Sequence, residues 1–208
     1  LLWFGQDNGQ ILPTLCTQLM ALADIFDLTG KLAVITGAGG GLGRALSEAM
    51  AEAGADVVCV DLDYEAANET AAAVVALGRR ALPLRCDVTK QKEVKAMVEQ
   101  ALAFGDRLDI FFNNAGISHR PTPLHRMRSA DWDRVLAVNL NGVFYCAREA
   151  SKVMVVQGGG KLINIASIWG MAGSSRIKPL PAYAASKGAV VNLTRELGLE
   201  YGPVGINV

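Results

Sequence analysis

The sequence predicts a doubly wound α/β fold, a parallel sheet with helices packed on both faces. Two observations carry this expectation. From Lys31 onward, strand and helix patterns alternate without exception. The strand segments are continuous apolar runs, such as Asp56 to Leu62 (DVVCVDL), which marks strands buried on both faces. In such sheets ligands bind beyond the carboxyl ends of the strands, so the loops that follow the strands are the places to search.

Taken in order, Lys31 to Thr36 is a short buried strand that ends in glycines. Leu42, Ala45, Leu46, Ala49, Met50 and Ala53 then recur at helical spacing, and Gly54 stops that helix. After the strand at 56–62, an alanine-rich helix over 65–77 ends at Gly78. Arg80 to Cys86 is a third strand, and Thr89 is placed to cap a helix running to about Phe104. Leu108 to Asn113 is a fourth strand. Past Pro121 and Pro123, Ser129 is placed to cap one long helix to about Val156. Gly160 to Ala166 is a fifth strand. A last helix ends near Gly202 and Pro203, and Ile206 opens a sixth strand, in which the chain stops.

The chain has 208 residues, enough for one domain with a sizeable core. It is expected to hold an extension at 1–26 and a single domain at 27–208. At 51% hydrophobic and 19% charged it is not a disordered chain. Lysine plus arginine and aspartate plus glutamate number 20 each, which gives no footprint for nucleic acid or an acidic membrane. Cys16, Cys59, Cys86 and Cys146 form no close pair, and Cys59 and Cys146 sit in apolar segments, so a reducing, cytoplasmic setting is expected. His119 and His125 share a proline-flanked loop, which argues against a metal site. The apolar run Ile11 to Phe26 lacks preceding basic residues and is too polar to cross a bilayer; it reads as an amphipathic helix or as sequence upstream of a start at Met20.

The loop Thr36-Gly37-Ala38-Gly39-Gly40-Gly41-Leu42-Gly43 follows a strand and opens a helix. Backbone N–H groups at a helix N-terminus attract an anion, and glycines let a pyrophosphate approach closely. The spacing is T-G-x-x-x-G-x-G, and no Gly-Lys-Ser/Thr follows as a P-loop would need. Thr36, Gly37, Gly39, Gly40, Gly41, Leu42 and Gly43 are thus candidate dinucleotide-binding residues. Asp61, 18 residues past Gly43, can accept hydrogen bonds from the adenosine ribose and would repel the 2′-phosphate of NADP. With no basic residue inside the glycine loop, this points to NAD, with Leu62 beside Asp61; Asp63 could serve instead. Asp87, between Cys86 and Val88, can accept from the adenine amino group or brace the Thr89 turn. Asn113, Asn114, Ala115 and Gly116 either flank the cofactor or brace the sheet.

Asn139 shares an apolar helix face with Trp132, Val135, Leu136 and Val143. A buried amide without partners costs about 1–3 kcal/mol, so Asn139 is either a core bracket or a water holder near a site. Ser167 ends the fifth strand and can donate to a substrate oxygen. Its surroundings are not G-x-S-x-G, which disfavours a hydrolase nucleophile. Tyr183 and Lys187 lie four apart on one helix face, where the ammonium favours the phenolate of its neighbour.

Together these pieces resemble the short-chain dehydrogenase/reductase family and its single Rossmann domain, over roughly Asp27 to Val208. The matching residues are Gly37, Gly41 and Gly43, then Asn114-Ala115-Gly116, then Asn139, Ser167, Tyr183 and Lys187. The opening Phe26-Asp27-Leu28-Thr29-Gly30-Lys31 is similar to members acting on sugar acids and polyols, such as gluconate 5-dehydrogenases. The resemblance implies hydride transfer between NAD and the CH–OH or C=O group of a small alcohol, polyol or sugar acid. It implies Tyr183 as general acid and base, with Lys187 favouring its phenolate and binding the nicotinamide ribose. Ser167 would hold the substrate oxygen, and Asn139 a water that links Lys187 to solvent. A homotetramer or homodimer is implied for the full-length protein.

Two departures stand out. Ser167 and Tyr183 are 16 residues apart, longer than in many members, and the extra length carries Arg176 and Lys178, which could meet an anionic substrate. The family's substrate-covering lid and last strand would lie beyond Val208. Two other readings stay open: an NADPH-dependent 3-oxoacyl-[acyl-carrier-protein] reductase, and a nucleotide-sensing protein without turnover. The second would not need asparagine, serine, tyrosine and lysine together.

Overall fold

Six strands form one sheet: β1 (Leu32–Thr36), β2 (Asp56–Asp61), β3 (Ala81–Arg85), β4 (Ile110–Asn113), β5 (Gly160–Asn164) and β6 (Ile206–Asn207). The structure, a computed structural model, describes residues 25–174 and 176–208. The expectation for the apolar run at 11–26 therefore lies almost wholly outside the described residues. The strand order is β3-β2-β1-β4-β5-β6, with every pair parallel. The order reverses between β1 and β4, and this switch point leaves a crevice at the carboxyl ends of the strands.

The crossover helices are α1 (Gly41–Glu52), α2 (Tyr64–Ala76), α3 (Gln91–Gly105), α4 (Ser129–Leu136), α5 (Val143–Gln157) and α6 (Pro181–Tyr201). Alternate residues of the central strands feed two cores. Leu32 and Val34 of β1, with Val58 and Val60 of β2, pack with Val94, Met97 and Val98 of α3 and with Cys146, Ala147, Ala150 and Met154 of α5. Ala33 and Ile35, with Val57 and Cys59, pack on the other face with Ala51, Ala71 and Val74. Each fully buried valine, leucine or isoleucine stabilises the fold by about 1.5–3 kcal/mol. Among the described residues no helix is long and apolar enough to cross a membrane.

The doubly wound parallel sheet stands as expected, with four local differences. Burial on both faces holds for β1, β2 and β4, but β3 is only half-buried, as suits an edge strand that contains Pro83. On β5, Leu162 is buried while Lys161 and Ile163 are exposed. Thr89 does not cap α3: its hydroxyl donates to Asp87 Oδ1 at 2.7 Å, and the capping position falls on Lys90. The helix expected from Ser129 to Val156 is interrupted by a π-helical turn at Ala137–Gly142, and Ser129 is its first helical residue with Arg128 at the cap.

Candidate active site

The glycine loop is shaped by close backbone approach. Gly37 has φ +67°, and a Cβ there would lie 2.9 Å from Ala115 Cα. A Cβ on Gly43 would lie 2.0 Å from the Gly37 carbonyl oxygen, so α1 can begin here only with a bare backbone. Asp61 props the loop from β2, its Oδ2 accepting from Gly39 N–H at 2.8 Å. The alternative carboxylate, Asp63, is engaged elsewhere: it caps α2 by accepting from the N–H groups of Glu65 and Ala66.

Thr36 ties the loop to the end of β4. Its hydroxyl donates to Phe112 O at 3.0 Å and accepts from the N–H groups of Asn114 and Ala115. The Asn114 amide donates to the Thr36 and Gly37 carbonyls at 2.9 and 3.1 Å. Asn113 donates to Asn164 Oδ1 across β4 and β5, and Asn164 donates to Thr194 Oγ1 on α6. These amides do brace the sheet ends, and the Asn114 side chain also fixes the glycine loop.

Gly37, Asp61, Leu62, Cys86, Asp87, Val88, Ala115 and Gly116 line one cleft of about 260 Å³ at the switch point. Asp87 sits on its wall. Burial alone would raise its carboxyl, but hydrogen bonds from Thr89 outweigh that and hold it below the ordinary carboxylate range. A second cavity of about 280 Å³, beside Lys31, Arg107, Asp109 and Lys161, lies at the opposite end of the strands, away from the glycine loop.

Pro181 starts α6, where its fixed φ suits the first turn. One turn in, Lys187 is 4% exposed, and its Nζ lies 6.0 Å from the centre of the Tyr183 ring. The ammonium donates to Ile165 O, and burial pushes the lysine below its ordinary value. The turn Ile168–Gly170 after Ser167 packs directly on this helix: a Cβ on Gly170 would lie 2.6 Å from the Lys187 carbonyl carbon and oxygen. Ser167 thus lies between Ile165 and Gly170, both of which touch Lys187, and its Oγ accepts from Trp169 N–H at 3.2 Å.

Asn139 lies in the π-helical turn, fully buried. Its Oδ1 accepts from Ile117 N–H at 2.8 Å, and its Nδ2 donates to Ile117 O at 2.9 Å and to Ser186 Oγ at 3.1 Å. Ser186 in turn donates to Tyr183 O at 2.8 Å. A Cβ on Gly116 would meet both Asn139 Oδ1, at 3.5 Å, and Lys187 Nζ, at 3.6 Å. The loop after β4, the π-helical turn and α6 thus converge on one point. Ser186 and Asn164 also belong to this network, although the motif residues do not announce them. In the sequence Ser186 is marked by its position three residues after Tyr183, and Asn164 by its place at a strand end in register with Asn113.

The glycine loop is anchored on the loop after β4, and the same loop reaches Lys187 at Gly116, an arrangement compatible with a nucleotide-dependent redox site. Comparison with known proteins agrees. The family model for short chain dehydrogenase matches residues 31–208. The 2-dehydro-3-deoxy-D-gluconate 5-dehydrogenase of Escherichia coli (strain K12) is 39% identical over 184 residues, covering 88% of this chain and 70% of that protein. The cis-4-hydroxycyclohexanecarboxylate dehydrogenase of Sinomonas cyclohexanicum is 39% identical over 178 residues, covering 86% and 70%. The crystal structure of an NAD+-bound xylitol dehydrogenase matches with a TM-score of 0.83 at 34% identity, covering 86% of this chain and 68% of that one. The chain belongs to the short-chain dehydrogenase family. This places it among the oxidoreductases that work with a nicotinamide cofactor.

Proposed function

We propose that the chain interconverts a secondary alcohol and its ketone on a small alcohol, polyol or sugar acid, with NAD preferred over NADP. The observation that carries the proposal is the buried Lys187 ammonium one turn from the Tyr183 ring, beside Gly116 of the loop that anchors the glycine cradle. The cradle fits a dinucleotide: at Gly37, Gly39 and Gly43 a Cβ would meet an atom within 3.0 Å. Gly37, Gly39, Gly43, Asp61 and Asp87 would hold the cofactor. When bound, it accepts a hydride from the alcohol carbon or returns one to the carbonyl.

The remaining chemistry is the protein's. Ser167 donates to the substrate oxygen. Tyr183 as phenolate takes the hydroxyl proton during oxidation and gives it back during reduction. Lys187 favours that phenolate and would hydrogen-bond the nicotinamide ribose of a bound cofactor. Asn139 holds the Ile117 backbone beside Lys187, where a water can pass the proton on. NAD preference rests on Asp61, the carboxylate left beside the cradle once Asp63 is engaged in capping α2. The proposal extends to a cytoplasmic homodimer or homotetramer, on composition and family resemblance.

The test is absorbance of reduced nicotinamide with NAD or NADP against alcohols, polyols and sugar acids. Tyr183→Phe should lower kcat by about 10²–10⁴-fold while NADH binding, followed by fluorescence, persists. Parent-like turnover by this variant would overturn the assignment of Tyr183, and faster turnover with NADP than with NAD would overturn the role of Asp61.

A further inference from the structure

The chain as a whole is neutral, but the two loops flanking the substrate side of the site are not. The loop after β4, residues 114–128, carries Arg120, Arg126 and Arg128 and no carboxylate. The loop after β5, residues 165–180, carries Arg176 and Lys178 and no carboxylate. The two are joined, Thr122 N–H donating to Pro179 O at 2.9 Å, and Pro179 lies four residues before Tyr183. Ile117 at the start of the first loop is held against Asn139, beside Lys187. The paired loops therefore border the space in front of Ser167 and Tyr183.

All five cations are exposed. Arg128 is paired with Asp131 at 2.8 Å. Among the described residues, Arg120, Arg126, Arg176 and Lys178 take part in no ion pair. The glycine cradle follows β1, on the other side of the switch point, so these loops are not the phosphate cradle. The same loops also present Leu124, Met171 and Ile177, each at least 70% exposed. A rim of one sign over an apolar lip attracts and orients an amphiphilic anion.

We propose that the substrate is a hydroxy or oxo carboxylate whose carboxylate lies away from the reacting carbon. Its anionic end is met by Arg176 and Lys178 with Arg120, and its carbon skeleton rests on the apolar lip. The proposal rests on the dehydrogenase reading above and narrows its substrate class.

The test is a matched pair of probes that differ only in the anion: cis-4-hydroxycyclohexanecarboxylate and cyclohexanol. Calorimetric titration of each into the protein saturated with NADH measures binding without turnover. The carboxylate should bind at least about tenfold more tightly at low salt. The preference should shrink as ionic strength rises through the range where surface charges are screened. It should also shrink in the double variant Arg176→Gln, Lys178→Gln, whose exposed positions leave the fold intact. Equal affinity for the two probes, or a preference indifferent to both salt and the double variant, overturns the proposal. Oxidation of both probes with NAD is then followed by absorbance. A strong preference in binding with no turnover of either would leave the anion site standing and overturn the dehydrogenase reading.

Discussion

Gly43→Ala probes the tightest contact in the site. The added Cβ would stand 2.0 Å from the Gly37 carbonyl oxygen and 2.7 Å from Asn114 Nδ2, where ordinary contact begins near 3.4 Å. Neither neighbour is the loose end of a flexible chain. The Gly37 carbonyl is backbone and accepts from Asn114, whose amide is also bound to Thr36 O. Relief must move the loop and stretch the Asn114 bond. Overpacking of this kind costs about 1–3 kcal/mol and a lost hydrogen bond about 1 kcal/mol, so a destabilisation of about 2–4 kcal/mol is expected. Urea unfolding followed by far-ultraviolet circular dichroism measures it. NADH fluorescence should show affinity falling by about 10- to 100-fold, because the displaced carbonyl belongs to the cradle. Gly40→Ala is the control: nothing lies within 4 Å of its Cβ, and its stability should match the parent within about 0.5 kcal/mol. A Gly43→Ala protein as stable as the Gly40→Ala protein, with unchanged NADH affinity, would refute the close-approach argument.

Two further expectations concern pH. Burial alone would raise the Asp56 carboxyl, but hydrogen bonds from Arg80 and the charges of Arg80 and Arg79 outweigh it and hold it below the ordinary range. Its contribution to stability is therefore full above the ordinary aspartate value, near ~3.9, and is lost as pH falls through the lower folded value. Asp56→Asn should be less stable at pH 7, and the gap should close in acid unfolding curves. Lys187 is shifted the other way in charge terms: burial disfavours its ammonium in the folded chain. The parent should therefore gain stability relative to Lys187→Met as pH rises from 7 toward lysine's ordinary value near ~10.4, with urea midpoints of the pair as the readout. A gap that stays constant over that range would contradict the burial penalty.

Much of this was legible in the chain. The apolar runs of β1, β2 and β4 announce a two-sided sheet because both of their faces are covered. The glycine loop and the Tyr183–Lys187 spacing are legible because backbone approach and helical stacking constrain residue type at fixed intervals. What could not be read depends on partners distant in sequence. Thr89 has the chemistry of a helix cap, but Asp87 offers its hydroxyl a nearer acceptor. Asp61 and Asp63 looked interchangeable until α2 took one of them as its cap. β5 is apolar enough to suggest cover on both faces, yet Ile163 stands open on one of them. The amide of Asn139 was recognisable as an anomaly on an apolar face, but its three partners, Ile117 twice and Ser186, lie 22 and 47 residues away.

The π-helical turn at Ala137–Gly142 also constrains how the chain can change length. Each residue of an α-helix advances the side-chain direction by about 100°, whereas a π-helical turn absorbs one extra residue with little added rotation. Deleting a single residue here would let the helix run on unbroken from Ser129. The faces before and after it would stay in step, with Cys146, Ala147, Ala150 and Met154 still turned to the sheet they pack on. A residue deleted within regular helix, such as α5, would instead swing everything after it by about 100°. The segment is thus a point of slack between α4 and α5: a residue can be lost there without turning either face, whereas the placement of Asn139 depends on keeping it.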